Sequence, residues 1–378
     1  MPARSCLIPA DSTPDNIYTG GIMKESLFKT LKELTDLDGV SGFEQEVVRY
    51  LRDAFAELAD TVEVDRMGNL YATRSGPPQG PRLMLAAHSD EIGAIVKSVD
   101  PEGFLRFDTL GGVIPPMLVG RRVRIRGHLG VIGVKSGHLQ TPEEQRTVLP
   151  ANQLYIDVGA DSAEQVARMG IAPGDPVAYY SPLERLSGTD HVCGKAIDNR
   201  IGCAILLELF RRLRGVELAG AVCATVCVQE EVGLRGAGVA AYKLQPDYAI
   251  VVDTFVAGGT PDVDYYRELP ARIGEGPVLL LANSAHIGHP AVNRYLQEAA
   301  RRCGVTLQPC TIVGKAGTDA GTIHLSREGV PTAGLGLARR YSHTPVCVLD
   351  LGDAADTVRV LEQFVAEMGQ HGDLSFLG

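Results

Sequence analysis

Residues 82–96 read RLMLAAHSDEIGAIV, an apolar run that breaks at a histidine, a serine and two acids before resuming. A half-exposed strand alternates apolar and polar positions, so a run without alternation marks a strand covered on both faces. The same pattern returns after residue 190. Helix 198–213 (DNRIGCAILLELFRRL) precedes strand 220–231 (GAVCATVCVQEE), helix 236–244 (GAGVAAYKL) and strand 247–253 (DYAIVVD). Helix 289–303 (HPAVNRYLQEAARRC) leads to strand 306–314 (TLQPCTIVG), and strand 332–337 (TAGLGL) to a last helix over 351–369. Strands separated by helices predict an α/β fold, a largely parallel sheet flanked by helices on both faces.

Upstream, residues 24–36 and 43–58 read as amphipathic helices, the second with Val47, Leu51 and Phe55 on one face. Ser41 stands three residues before Glu44, a capping-box pattern for that helix. Residues 61–76 alternate around a Gly-Asn turn and predict a hairpin. Between 94 and 182 the texture changes to short strand-like pieces such as FLRFDTLGGV, RRVRIRGHLGVIGV and DPVAYYSP, separated by Gly and Pro, with one helix at SAEQVARMG. That texture predicts an inserted small β-barrel. The expected organisation is a flexible extension over 1–22, a main domain over 23–93 and 183–378, and the barrel over 94–182.

At 378 residues and 45% hydrophobic, the chain has enough apolar material for one large core and a smaller one. Its net charge of −10 makes it a poor polyanion binder, which argues against nucleic acid or an anionic membrane surface as partner. No window holds about 18 uninterrupted apolar residues, so no membrane-spanning helix is expected. The N-terminal residues lack the apolar core of a secretory signal. The eight cysteines form no CxxC pair and mostly lie inside apolar runs, as reduced thiols of a cytoplasmic protein would.

The chemistry gathers at strand ends. His88 and Asp90 follow LMLAA, Glu230 and Glu231 follow AVCATVCVQ, Asp253 ends YAIVV, and His343 closes the loop after TAGLGL. Open α/β sheets bind their ligands beyond those carboxyl ends. Asp198, in KAIDNR, joins them from a helix start, where a carboxylate can accept backbone N–H groups. Any one of these alone reads as a solvated loop residue or a cap. Their convergence does not, and neighbouring glutamates after an apolar strand repel unless a cation sits between them. Two imidazoles with three carboxylates suit zinc, with cobalt or manganese as alternatives, better than calcium. Five ligands serve two ions if one carboxylate bridges, and Asp198 is the expected bridge. Dinucleotide, P-loop and G-x-S-x-G patterns are missing. His286 and His289 are expected at surface or capping positions, Thr318 and Asp319 in a pocket wall or an Asx turn.

The segments AAHSDEIG, KAIDNRIG, QEEVGLRGA, VVD, AGTDAG and YSHTPV stand in an order and spacing that resembles the glutamyl-aminopeptidase and tetrahedral-aminopeptidase family of co-catalytic metallopeptidases. Some members of that family have carried an endoglucanase label. The likeness runs from Met23 to the C-terminal helix. It implies an aminopeptidase releasing N-terminal residues from short peptides, with two divalent ions and a metal-bridged water as nucleophile. It further implies His88 and Asp253 on one metal, Glu231 and His343 on the other, Asp198 between them, Glu230 as general base and Asp90 orienting His88. It implies a homo-oligomer, in which dimers formed through the β domain assemble into a tetrahedral dodecamer. Cys347 departs from the glutamate usual after YSHTPV, which bears on support of that loop. A metal-dependent deacylase or carboxypeptidase would use the same site. An endoglucanase would need two carboxylates and leave the histidines unexplained. A non-catalytic metal-binding protein would have no use for Glu230.

Overall fold

Continuous apolar runs become the middle of an eight-stranded sheet, where neighbours on both faces shield them from water. The computed structural model describes residues 14–314, 317–372, 374 and 376–377. The chain opens with α1 (Pro14–Asp36) and α2 (Gln45–Phe55), then β1 (Thr61–Val64), β2 (Leu70–Arg74) and β3 (Arg82–His88). Six strands follow: β4 (Gly93–Val99), β5 (Leu105–Leu110), β6 (Arg122–Ile125), β7 (His128–Gly133), β8 (Tyr155–Asp157) and β9 (Pro176–Tyr179). They close a barrel in the order β4-β5-β8-β7-β6-β9, with short helices α3 (Pro142–Gln145) and α4 (Ala163–Arg168) in its connections. Ser162 caps α4 by accepting from Gln165 N.

After β10 (Glu184–Arg185) and β11 (His191–Gly194) the alternation resumes. It runs α5 (Ile197–Arg212), β12 (Ala221–Cys227), α6 (Arg235–Leu244), β13 (Tyr248–Val256), β14 (Val278–Asn283), α7 (Pro290–Arg302) and β15 (Gln308–Ile312). It ends with α8 (Ala320–Ile323), β16 (Thr332–Arg339), β17 (Cys347–Asp350) and α9 (Leu351–Glu367). The large sheet has the order β1-β2-β12-β3-β13-β16-β14-β15. Its four central strands, β12, β3, β13 and β16, are mutually parallel, while β2 joins β12 and β14 joins β16 antiparallel. Strand β14 (VLLLAN) is absent from the sequence reading.

Helices α1, α5 and α9 pack on one another, and Leu27, Leu31, Val47, Leu51, Phe55, Ile205 and Phe364 are all fully buried. The Phe55 and Phe210 rings meet edge to face at 5.3 Å. Of the extension expected over 1–22, residues 1–13 lie outside the described residues and 14–22 instead begin α1. Pro14 suits that start because a first-turn N–H has no helical partner to lose. The expected Ser41–Glu44 capping box does not form. Ser41 Oγ donates to Asp90, and the Glu44 carboxylate accepts from Gly42 N and Gln229 N, so both serve the loops around β3 and β12.

A buried ion network locks α5 to the end of β3. Lys195 Nζ donates to both Glu91 oxygens at 2.7 and 3.0 Å. The fully buried Arg200 donates to Ser89 O and Leu34 O, each at 2.6 Å, and to Glu91 at 3.4 Å. Removing its charge leaves those acceptors unmet. Arg200→Met is expected to destabilise the protein by about 3–5 kcal/mol, read as a lower urea midpoint with unchanged slope.

His286, expected at a surface or capping position, is buried, its Nε2 donating to Thr332 O at 3.1 Å. Burial, with His324 beside it, pushes the imidazole pKa down to about 4. The neutral ring is the form the fold favours, so its contribution is present above about pH 6.5 and is lost as pH falls toward about 4. Unfolding free energy should fall by up to about 3 kcal/mol across that window, and His286→Gln should remove that component.

Candidate active site

The parallel register lines up the carboxyl ends of the central strands. Cys227 pairs with His88, and Val251 pairs with Ala86, so Asp253 lies level with His88. Across β16, Gly336 faces Asp253 so closely that any Cβ would collide with the Asp253 carbonyl. After β12 the chain turns through Gln229 at φ 57 and presents Glu230 and Glu231.

Asp198 arrives from the start of α5, which is not helical there: Asp198 has ψ 109 and Asn199 has ψ 42. The expected backbone-capping role falls to Asn199, whose Oδ1 accepts from Gly202 N while its Nδ2 donates to Val252 O. Asp198 is thereby left facing the site. Its Oδ1 accepts from Thr254 Oγ1 at 2.9 Å.

The ligand-type atoms form two triads that share Asp198, the first buried and the second half-buried. His88, Asp198 and Asp253 make one; Asp198, Glu231 and His343 make the other; each has its atoms within 4.8 Å of one another. His88 Nε2 lies 3.4 Å from Asp198 Oδ1 and 3.7 Å from Asp253 Oδ1. His343 Nε2 lies 3.5 Å from Glu231 Oε2 and 3.7 Å from Asp198 Oδ2. Glu230 stands beside the pair, 3.9 Å from His88 Nε2, and closes a third triad with His88 and Glu231.

Asp90 holds this arrangement together from behind. Its carboxylate accepts from Ser41 Oγ at 2.6 Å, Glu230 N at 2.9 Å and Glu231 N at 3.1 Å, and lies 3.4 Å from His88 Nδ1. Burial opposes its charge, yet His88 and these donors outweigh burial and hold its pKa below the ordinary carboxylate value. One side chain thus fixes both the imidazole and the backbone that carries the two glutamates.

The electrostatics describe a site short of positive charge. Burial and neighbouring carboxylates push Glu230 and Glu231 well above the usual carboxylate range, and Asp253 to about 7. Burial would lower the His88 pKa, but Glu230 and Asp198 drive it well above its ordinary value. Imidazole nitrogens and carboxylate oxygens converging under mutual repulsion are the donor set a divalent ion satisfies, so the residues fit a metal.

Sequence reasoning passed over Arg339 and set Asp319 too low. Arg339, at the end of β16, is 5% exposed; it contacts Asp198 and donates to Thr254 Oγ1 and Ser342 Oγ, both at 2.8 Å. It counters the burial cost at Asp198 and holds that pKa below the ordinary value. The Arg-Arg pair closing a wholly apolar strand was the available signal. Asp319 is buried and makes no Asx bond; among the described residues neither of its oxygens meets a hydrogen-bond partner, and burial with Asp253 and Asp90 nearby raises its pKa to about 7. Thr318 lines the cavity, as one of its two expected placements had it. His289 occupies the N-cap position of α7 without a side-chain cap bond. Cys347 is buried, its thiol donating to Tyr341 O and Thr344 O at 3.3 Å, so it braces the loop that carries His343.

The barrel also reaches this site. His343 Nδ1 donates to the carbonyl of Gly112, just past β5, at 3.0 Å, which leaves Nε2 to face Asp198 and Glu231. Burial and Arg339 lower the His343 pKa, favouring that neutral tautomer. A Cβ on Gly112 would lie 2.5 Å from the ring. Gly112→Ala is expected to displace the imidazole and weaken binding of one metal equivalent by about 10–100-fold in a calorimetric titration.

Residues 68–360 match the M42 glutamyl aminopeptidase family. The glutamyl aminopeptidase of Lactococcus lactis is 32% identical, covering 90% of this chain and 96% of that one. The lysyl aminopeptidase of Pyrococcus furiosus is 31% identical over 90% of this chain and 97% of its own. Among solved structures, the TET1 peptidase of Pyrococcus horikoshii superposes with a TM-score of 0.80 at 31% identity, covering 90% of this chain and 99% of that one. That peptidase can assemble into a tetrahedron or a large octahedral shell. The chain therefore belongs to the M42 glutamyl aminopeptidase family and is a peptide-bond hydrolase.

Proposed function

We propose that the protein is a two-metal aminopeptidase that releases N-terminal residues from short peptides. The observation that carries this reading is the pair of triads sharing one carboxylate. His88 and Asp253 would hold one ion, Glu231 and His343 the other, and Asp198 both. Zinc suits the donor set best, with cobalt or manganese as alternatives. Bound divalent ions supply Lewis acidity, polarising a carbonyl and acidifying water.

The chain's own residues do the rest. Glu230, buried beside the triads, takes the proton of the attacking water and returns it to the departing amine. Asp90 keeps His88 oriented and the backbone of Glu230 and Glu231 in place. Thr254, through Asp198 Oδ1, fixes the shared carboxylate.

The barrel, taken as a domain over 94–182 inserted in a metallopeptidase domain of 23–93 and 183–378, is proposed to carry subunit contacts. Dimers joined through it would build a shell like that of the TET1 peptidase, a homo-oligomer that light scattering would detect. Among the described residues no helix is long and apolar enough to cross a membrane. The described cysteines are free thiols, which fits a reducing cytoplasm.

Chelation should abolish hydrolysis of aminoacyl chromogenic substrates, and zinc, cobalt or manganese should restore it. Glu230→Gln should keep its metal content and lose about 10²–10⁴-fold in kcat. Full activity in that variant with both ions bound would remove Glu230 from the mechanism.

A further inference from the structure

We infer that the recess beside the metal centre selects peptides whose N-terminal side chain is uncharged and apolar. The inference rests on the aminopeptidase reading, and it separates this chain from relatives named for glutamate and lysine.

A cavity of about 610 Å³ opens on the triads, within the size range of small-molecule sites. Away from the ligand cluster its wall is built by β13, β14, β15 and the turns near 234 and 317. Leu234, Phe255, Leu280 and Ile312 supply the apolar surface. A Cβ on Gly317 would come within 3.9 Å of Leu234 Cδ1, so the glycine leaves room for an incoming side chain there.

The polar side chains on this wall, Asn283 and Thr318, are uncharged and bonded to each other. Asn283 Oδ1 accepts from Ala285 N at 2.9 Å and His286 N at 2.8 Å, and its Nδ2 donates to Thr318 Oγ1 at 3.4 Å. Among the described residues, the cavity's charged and imidazole side chains are those of the triads, Glu230 and Arg339. Arg339 is committed to Asp198, Thr254 and Ser342. A glutamate or lysine side chain entering the recess would lose its hydration against Leu234, Phe255, Leu280 and Ile312. A leucine or methionine would exchange water for apolar contact.

The test is a panel of leucyl, methionyl, alanyl, glutamyl and lysyl p-nitroanilides with zinc- and cobalt-loaded protein. Leucyl and methionyl substrates are expected to exceed glutamyl and lysyl ones in kcat/KM by at least about tenfold. Leu234→Lys, at the half-buried rim, should raise the glutamyl rate relative to the leucyl rate; Ile312→Lys should do the same from deeper in the wall. Calorimetry with leucinamide, glutamic acid α-amide and lysinamide reads the recess without turnover. Tightest binding of leucinamide with no hydrolysis of any substrate would uphold the recess and remove the aminopeptidase reading. Equal or tighter binding of either charged amide, or a glutamyl or lysyl optimum in the panel, overturns the inference.

Discussion

Asp198, Glu230, Glu231 and Asp253 are buried together at one edge of a sheet, and their mutual repulsion is the constraint that the surrounding structure answers. Desolvating a carboxylate costs more than a single hydrogen bond returns. Of the cations in the described chain, Arg339 contacts the cluster, and a single guanidinium is too little charge for four carboxylates. The side chains of the cluster are accordingly held from behind by other residues. Asp90 grips the backbone of Glu230 and Glu231, Asn199 pins the start of α5 to β13, and Cys347 braces the loop of His343.

The strands that carry the site were the most legible part of the chain. Burial on both faces writes itself as unbroken hydrophobicity, so β3, β12, β13 and β16 could be read directly, together with the residues at their ends. Strand β14 escaped because no helix separates it from β13, and it runs antiparallel to β16. A reading built on strand–helix alternation has no place for such an element. Ser41 and Glu44 illustrate the opposite failure: a local capping pattern lost to tertiary partners, Asp90 and the N–H of Gln229.

Asp319 and Arg339 were hard to see for a shared reason. Each sits among residue types typical of surfaces, AGTDAG and LARRYS, and only the packing of distant segments buries them. Among the described residues Asp319 has no hydrogen-bond partner, and it lies behind the other carboxylates. Its carboxyl adds to the crowding that pushes the Glu230 pKa upward.

The bond from His343 to the Gly112 carbonyl changes what kind of object the barrel is. An insertion that merely decorates a surface is a cassette: it can be trimmed, swapped or lost, and the host fold carries on. Here one peptide group from the barrel connection orients an imidazole of the candidate site. Excising the barrel would strip an imidazole of the acceptor that sets its tautomer. The two pieces are therefore coupled through one carbonyl, and moving it would leave the His343 ring free to turn.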